Sequence, residues 1–282
     1  MAPTADEVRG QQRETWDKFS AGWKKRDTFV TQWLQPVGDK LLDLAQLRED
    51  SVVLDAATGT GQPGLAAAGK VKNGKVIGSD IAAKMVQIAE EKARIAGIKN
   101  YEGRVCDESS LPFGNDYFDA VVCRFGVMYF PDTLTGVREL VRVLKPGGAL
   151  ALSAWAEPQK NPWGTTAARV VSEMLALPSP AADAPGIFRC ATPGTLSALL
   201  QQAGLSSASE VEVTGKILFE SPQHYWEFIT DVVAPVANAL AQIDQAKREE
   251  VRRAVVEAVQ PDAGGLSVVT LGWSAWVASG VK

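Results

Sequence analysis

The chain has 282 residues and a formal net charge of −4, and 46% of its residues are apolar and 22% charged. This balance is typical of a globular protein with a sizeable core. The sequence has no cluster of lysine and arginine residues, which argues against a protein that binds the phosphate backbone of a nucleic acid. The single histidine, His224, excludes a histidine-rich metal site, and we predict no metal.

Membrane spans and disulfides are also not expected. No apolar run approaches about 18 residues, the length that a spanning helix needs. Residues 1–12 are polar and lack the apolar core of a signal peptide. The chain has three cysteines, Cys106, Cys123 and Cys190, and this small, odd number does not indicate a disulfide framework. We therefore expect a protein of a reducing compartment, the cytoplasm.

Residues 1–50 are predicted to form an N-terminal helical cap. Six large apolar residues recur there at mostly helical spacing: Trp16, Phe19, Trp23, Phe29, Trp33 and Leu34. Such a stripe is typical of a helix that packs one face on the core. We expect some of these aromatic side chains also to wall a ligand pocket.

Residues 51–155 alternate between strand and helix patterns. Strands are predicted at 51–55, 75–80, 101–107, 117–123 and 149–154, with helices at 81–97 and around 134–144. Strands that alternate with helices indicate a parallel sheet covered on both faces. The predicted fold class is α/β, a doubly wound and mostly parallel seven-stranded sheet of the Rossmann-like kind.

Residues 156–282 are predicted to complete the same single domain. The pattern predicts a helix at 195–204, a strand at 210–219, a helical lid at about 222–260 and a final strand at 267–278. The lid is thus a helical insertion before the last strand. No internal repeat or low-complexity linker divides the chain.

The most informative motif follows the first predicted strand. Gly59, Gly61 and Gly64 fit the pattern G-x-G-x-x-G, and Asp80 lies 80 − 59 = 21 residues after the first glycine. This combination is the fingerprint of dinucleotide binding, with the acid on the ribose hydroxyls. An NAD-dependent oxidoreductase is therefore one serious interpretation.

Two carboxylates favour a different nucleoside. Asp55 ends the strand directly before the glycines, where it would repel a pyrophosphate and suit an amino group. Asp107 ends the third strand, and its carboxylate can accept a hydrogen bond from an adenine amino group. Carboxyl ends of parallel strands share one edge of the sheet, so we expect these acids to lie close together.

The central region resembles the class I S-adenosylmethionine-dependent methyltransferases, especially the small-molecule branch similar to the enzymes of ubiquinone and menaquinone biosynthesis. Five ordered motifs carry the resemblance: 53–61 (VLDAATGTG), 78–81 (GSDI), Asp107 followed by 111–113 (LPF), 118–122 (FDAVV) and 142–148 (RVLKPGG). The rest of the chain matches this family only in layout.

The resemblance implies S-adenosylmethionine as the cofactor. It places the cofactor site on Asp55, Ala57, Thr58, Gly59, Gly61, Asp80, Ile81, Met85, Asp107, Glu108, Arg124 and Phe125. Asp80 would accept both ribose hydroxyls, a role that suits a carboxylate. Ala57 stands where the family usually has a glycine.

The activity that the resemblance implies is methyl transfer to a small, hydrophobic or aromatic molecule by direct in-line displacement, with C- or O-methylation favoured. A carbon or oxygen nucleophile can require a base, for which His224 and Tyr225 at the start of the lid are the candidates. We expect the substrate pocket to include Trp16, Phe19, Trp23, Tyr129 and Trp226.

Two alternatives remain open. One is the NAD-dependent oxidoreductase, and the other is a regulatory protein that binds S-adenosylmethionine without turnover. We expect a small-molecule substrate and no nucleic-acid partner, and a homodimer is compatible with the sequence.

Overall fold

The computed structural model describes residues 4–178, 181, 183–259 and 267–282. The elements in chain order are α1 (Ala5–Lys25), α2 (Asp27–Leu44), β1 (Val52–Ala56), α3 (Gly64–Lys70), β2 (Lys75–Asp80), α4 (Ala83–Ile95), β3 (Tyr101–Val105), β4 (Phe118–Arg124), α5 (Thr133–Val143), β5 (Leu144–Trp155), α6 (Pro162–Leu175), α7 (Thr195–Gln202), β6 (Ser206–Phe219), α8 (Pro222–Val232), α9 (Ala234–Leu240), α10 (Gln245–Ala258) and β7 (Val269–Val281). Residues 1–3 of the predicted cap and residue 260 of the predicted lid lie outside the described residues.

The seven strands form one sheet in the order β3-β2-β1-β4-β5-β7-β6. Only β7 runs against the others, since it pairs antiparallel with both β5 and β6. The predicted doubly wound, mostly parallel sheet is thereby confirmed. The chain builds outward from β1 to β3 and then returns to place β4 beside β1. Such a reversal of strand order opens a crevice at the carboxyl ends of the strands, where open α/β sheets bind ligands.

The buried strands explain the apolar runs of the sequence. Val53 and Leu54 in β1 and Val121 and Val122 in β4 are fully buried, as expected for a sheet covered on both faces. Asp119 lies at the other end of β4, where its Oδ2 accepts a hydrogen bond from the Val52 N–H at 2.8 Å. This carboxylate joins β4 to β1 at the edge opposite to the crevice.

The N-terminal cap consists of two helices. A capping box of Thr4 and Glu7 starts α1, and the chain breaks at Arg26 before α2 begins. Helix α2 buries Val30, Leu34, Val37 and Leu41 in the core, whereas Ser20 is the one buried residue of α1. The aromatic side chains of α1 are therefore not part of the closed core.

The region after β5 contains more helix than the sequence pattern predicts. Helix α6 was not expected, and the predicted lid is divided into α8, α9 and α10. Prolines at 162, 222 and 235 occupy the first or second position of α6, α8 and α9. A proline there costs no hydrogen bond because the first N–H groups of a helix have no intrahelical partner. These prolines begin helices and do not interrupt them.

One buried side chain joins the end of β5 to β7. The Asn161 amide nitrogen contacts the carbonyl oxygens of Ala156 and Ser274, each at 3.0 Å. Its Oδ1 accepts from the Ser274 N–H at 3.0 Å and from the Trp163 indole N–H at 3.1 Å. Since Asn161 is completely buried, water cannot replace these bonds if the amide is lost.

We expect Asn161→Ala to lower the free energy of unfolding by about 2–4 kcal/mol, because it leaves several buried donors and acceptors without partners. Asn73→Ala is the matched control at an exposed turn and should change stability by less than about 0.5 kcal/mol. Denaturant unfolding of both variants measures the difference. Equal stability changes would contradict the role assigned to Asn161.

Candidate functional site

A cavity of about 350 Å³ lies at the carboxyl edge of the sheet, where β1 and β4 are neighbours. Its walls come from α1, α2, the turn after β1, the ends of β2 and β4, the start of α6 and the helices α8 and α9. The volume falls within the range of small-molecule sites. The cavity has a polar part at the turn after β1 and an aromatic part farther from it.

The turn after β1, residues 57–61, is called the glycine turn below. Ala57, Gly59 and Gly61 all have left-handed backbone, with φ of +51°, +54° and +101°. The backbone of Gly61 is one that residues with a side chain rarely adopt, and a Cβ there would also lie 2.7 Å from the Leu65 Cδ1 atom, so this position favours glycine. Ala57 adopts the same backbone region with a side chain, which costs free energy that surrounding contacts must offset.

Two buried carboxylates hold the glycine turn from the cavity side. Asp80 accepts from the Gly59 N–H and from the Ala82 N–H, each at 2.9 Å. Glu108 accepts from the Ala57 N–H at 3.2 Å. Both acids line the cavity and are at most 7% exposed. Asp80 was expected here from its spacing to the glycines and Glu108 from the family resemblance, and the structure places both on the cavity wall.

Burial changes the proton affinity of both acids. Loss of hydration raises the pKa of Asp80 to about 6, while the Ala82 and Gly59 N–H groups act in the opposite direction. Loss of hydration, with the nearby charge of Asp80, raises the pKa of Glu108 to about 8. A ligand that donates hydrogen bonds or carries positive charge would favour the ionised forms of both acids.

Asp55 lies beneath the glycine turn and not on the cavity wall. Its Oδ2 accepts from the Thr58 hydroxyl at 2.5 Å and from the Gly64 N–H at 2.8 Å. Its Oδ1 is buried with no hydrogen-bond partner. Burial raises the pKa of Asp55 to about 6, opposed by these hydrogen bonds and by the charge of Arg124. Gly61 is likewise absent from the wall.

Arg9 contributes a contact that the sequence did not predict. Its Nε lies 3.1 Å from Asp107 Oδ2, and both residues line the cavity. The other oxygen of Asp107 accepts from the Ser109 N–H and hydroxyl. Helix α1 therefore covers the cavity next to the loop after β3. Nothing in the sequence near Arg9 indicates this partner.

Asp27 makes a second contact that the sequence did not predict, with the glycine turn itself. Its Oδ1 accepts from the Thr60 hydroxyl at 2.9 Å and from the Lys92 ammonium at 2.7 Å. Lys92 also donates to the Thr60 carbonyl oxygen at 2.7 Å. The turn is thereby tied to both α2 and α4.

Arg124 and Phe125 lie at the end of β4, next to the glycine turn. Burial lowers the pKa of Arg124 to about 10, opposed by the charges of Asp55 and Asp27. Arg124 stays charged at neutral pH and lines the cavity, and its guanidinium makes no hydrogen bond among the residues that the structure describes. Phe125 has a left-handed backbone, with φ of +59°.

The aromatic part of the cavity is formed by five rings, called the aromatic cluster: Trp33, Phe125, Trp155, Trp163 and Phe228. Phe125 stacks on Trp155 with ring centroids 4.3 Å apart and an interplanar angle of 12°. Trp163 packs against both Trp33 and Trp155 at 4.7 Å. Rings held at such distances form a rigid apolar wall.

The substrate-pocket prediction covers a different part of the wall. Trp16, Trp23 and Tyr129 line the cavity, and Trp16 meets Tyr129 edge-on with centroids 5.1 Å apart. Phe19 and Trp226 do not line it. The strongest aromatic contribution comes instead from α2, β5 and α6, whose tryptophans meet only in the folded chain.

His224 and Tyr225 lie away from the cavity wall. Tyr225 is fully buried, where its hydroxyl donates to the Trp163 carbonyl oxygen at 3.0 Å and accepts from the Ala167 N–H at 3.1 Å. The His224 ring packs against Phe29 with centroids 5.4 Å apart. The first residue of α8 that lines the cavity is Phe228, one helical turn after His224. The structure therefore does not bring these two candidates to the site.

The described residues contain neither a cluster of metal ligands nor a membrane-spanning helix. Among the described residues, no group of three or more histidine, cysteine, aspartate or glutamate side chains is arranged to hold a metal ion. Within the same described part of the chain, no helix has the length and apolar character to cross a membrane.

Comparison with known proteins finds methyltransferases. A family model described as a methyltransferase domain matches residues 53–148. Demethylmenaquinone methyltransferase of Thermus thermophilus is 36% identical over 125 residues, which are 44% of this chain and 56% of that protein. The Bacillus subtilis protein of the same name is 28% identical over 195 residues, 64% of this chain and 81% of the relative. The chain thus spans just over half the length of the first relative.

The fold is also found among solved structures. The YcgJ protein of Bacillus subtilis aligns with a TM-score of 0.58 and 20% identity, over 87% of this chain and 97% of that protein. At this identity the likeness concerns the fold alone. Together with the methyltransferase-domain match over residues 53–148, it makes the chain similar to the class I S-adenosylmethionine-dependent methyltransferases of the ubiquinone and menaquinone kind.

Proposed function

We propose that the chain binds S-adenosylmethionine at the glycine turn and transfers its methyl group to a small hydrophobic or aromatic molecule held by the aromatic cluster. The observation that carries the proposal is the position of two buried carboxylates, Asp80 and Glu108, on a left-handed turn at the crevice between β1 and β4. The aromatic cluster lines the same cavity.

The polar part of the cavity fits this cofactor. Ribose hydroxyls are donors, and the carboxyl oxygens of Asp80 and Glu108 are acceptors on the wall. Ile81 and Met85 line the wall beside Asp80 and offer apolar surface to an adenine ring, and Asp107 lies near them as an acceptor for its amino group. Arg124 offers a cation to the methionine carboxylate. The cofactor, when bound, supplies a methyl group on a positively charged sulfur.

The same contacts argue against a dinucleotide. In dinucleotide-binding folds the pyrophosphate rests on free N–H groups at the start of the helix that follows the glycines. Here the first of these, the Gly64 N–H, donates to Asp55 at 2.8 Å. This N–H is therefore already used, and the negative charge of Asp55 behind it would repel a pyrophosphate.

The aromatic cluster supports an uncharged, flat substrate. Its rings carry no charge, and the charged residues of the cavity wall lie in α1, at the ends of β2 and β4 and in the loop after β3. Direct displacement requires a nucleophile held in line and little water around it. The two named relatives are demethylmenaquinone methyltransferases, which supports an aromatic acceptor and C- or O-methylation here.

We expect Asp80→Asn to weaken the binding of S-adenosylhomocysteine at least about tenfold, since it removes charge-assisted hydrogen bonds worth roughly 1.5–3 kcal/mol. Isothermal titration calorimetry measures the affinity. Asp119→Asn is the matched control, because this partly buried aspartate holds β4 to β1 at the opposite edge of the sheet. It should leave the affinity unchanged.

The outcomes separate the parts of the proposal. Absence of S-adenosylhomocysteine binding by the wild type contradicts the cofactor, as does tight NADH binding in a fluorescence titration. Unchanged affinity in Asp80→Asn contradicts the site alone. Transfer of label from S-adenosylmethionine to phenolic or quinol acceptors tests the activity, and binding without transfer across a broad panel contradicts it.

We also expect the stability of the ligand-free protein to depend on Glu108. The raised pKa of about 8 means that the folded state holds a proton that the unfolded state releases near its ordinary value of 4.5. Folding stability therefore falls as pH rises between these values. Thermal unfolding from pH 5 to 8.5 should show a smaller fall in Glu108→Gln than in the wild type. Parallel curves would contradict this assignment.

A further inference from the structure

Tyr101 reaches the glycine turn from the edge of the sheet. It opens β3, pairs with Val76 of β2, and its hydroxyl oxygen lies 3.0 Å from the Thr58 hydroxyl oxygen. A Cβ at Gly78 would lie 2.0 Å from that tyrosine oxygen. The glycine in the middle of β2 therefore leaves the space through which Tyr101 meets the turn.

The direction of this hydrogen-bond chain follows from the available protons. The Thr58 hydroxyl has one proton, and it donates that proton to Asp55 Oδ2 at 2.5 Å. Tyr101 must then be the donor to Thr58. Burial and the charge of Asp55 raise the pKa of Tyr101, so its hydroxyl stays protonated. The chain runs from Tyr101 through Thr58 to Asp55.

Thr58, the middle link of this hydrogen-bond chain, lies on the part of the turn that faces the cavity. Thr58 lines the wall between Ala57 and Gly59, both with left-handed backbone. Its N–H donates to the Ser79 carbonyl oxygen at 2.7 Å. Asp55 Oδ2 also accepts from Gly64 at the start of α3. The glycine turn is thus held on both sides, by the hydrogen bonds of Thr58 and Asp55 beneath it and by those of Asp80 and Glu108 on the cavity side.

We propose that Tyr101 is a positioning residue for the cofactor, acting through Thr58 and Asp55 to hold the glycine turn in its binding conformation. This inference rests on the proposed function, because it assumes that the turn holds S-adenosylmethionine. Tyr101 itself lies outside the cavity wall. Its effect on binding reaches the ligand through the hydroxyl chain.

The strain of Ala57 explains why such a support is needed. A non-glycine residue in the left-handed region costs of order 1–3 kcal/mol and persists only when neighbouring contacts determine its conformation. Thr58 follows Ala57 directly. Each hydrogen bond in a buried chain also strengthens the next, so the Tyr101 hydroxyl makes Thr58 a better donor to Asp55.

A double-mutant cycle in cofactor affinity tests the proposal. Tyr101→Phe removes one hydroxyl and leaves the ring in place, and Thr58→Val removes the link that receives it. We expect Tyr101→Phe to weaken S-adenosylhomocysteine binding about three- to tenfold. Combined with Thr58→Val it should cause no further loss, since residues of one network are not additive. Calorimetry measures all four proteins.

Two further variants separate positioning from a general effect on the fold. Thr58→Ser keeps a hydroxyl and should recover most of the affinity that Thr58→Val loses. Tyr117→Phe is the control, since Tyr117 directly precedes β4, is 45% exposed and uses only its ring for contacts to Phe113 and Phe118. It should leave the affinity unchanged. Circular dichroism checks that each variant is folded.

The proposal is overturned if Tyr101→Phe lowers the unfolding temperature but leaves the affinity unchanged, or if the two losses of affinity add. If Tyr101→Phe does not fold, equal affinities of Thr58→Val and Thr58→Ser overturn it. Failure of the wild type to bind S-adenosylhomocysteine is a separate result, which contradicts the proposed function itself.

Discussion

The site depends on one constraint, a left-handed backbone turn held in place by buried acids. Ala57, Gly59 and Gly61 all have a left-handed backbone. The acids that bond this turn or its flanks are buried, and burial removes most of their hydration. The cost is visible in the raised pKa values of Asp55, Asp80 and Glu108. Acids held at such cost, on a cavity wall or directly beneath it, are characteristic of functional sites.

The rest of the fold places two unlike surfaces beside this turn. Because β4 returns to lie next to β1, Arg124 and Phe125 emerge at the turn. Phe125 then stacks on Trp155 at the end of β5 and begins the aromatic cluster. Helix α1 covers the polar part through the pair of Arg9 and Asp107. One cavity therefore joins hydrogen-bonding groups, which suit the proposed nucleoside cofactor, to an apolar chamber, which suits the proposed methyl acceptor.

The parallel sheet and the position of Asp80 could be predicted, because they follow from strand ends and a short spacing within one continuous segment, whereas Glu108 was expected only from the family resemblance. The aromatic cluster could not be assembled from the sequence, since α2, β5, α6 and α8 contribute its rings and meet only in the folded chain. The orientation of the Asp55 side chain could not be predicted either. Its position at the end of β1 was correct, but its side chain turns beneath the backbone and bonds Thr58 and Gly64. His224 and Tyr225 begin the expected helix, yet that helix reaches the cavity only from Phe228 onward.

The central claim is that one cavity holds the cofactor at the glycine turn and the acceptor at the aromatic cluster. A crystal structure of the protein with S-adenosylhomocysteine tests it most directly. The account predicts ribose hydroxyls on Asp80, adenine beside Ile81 and Met85, and the sulfur facing the space in front of Phe125 and Trp155. A nucleoside bound within the aromatic cluster, or a ribose without contact to Asp80, would contradict it.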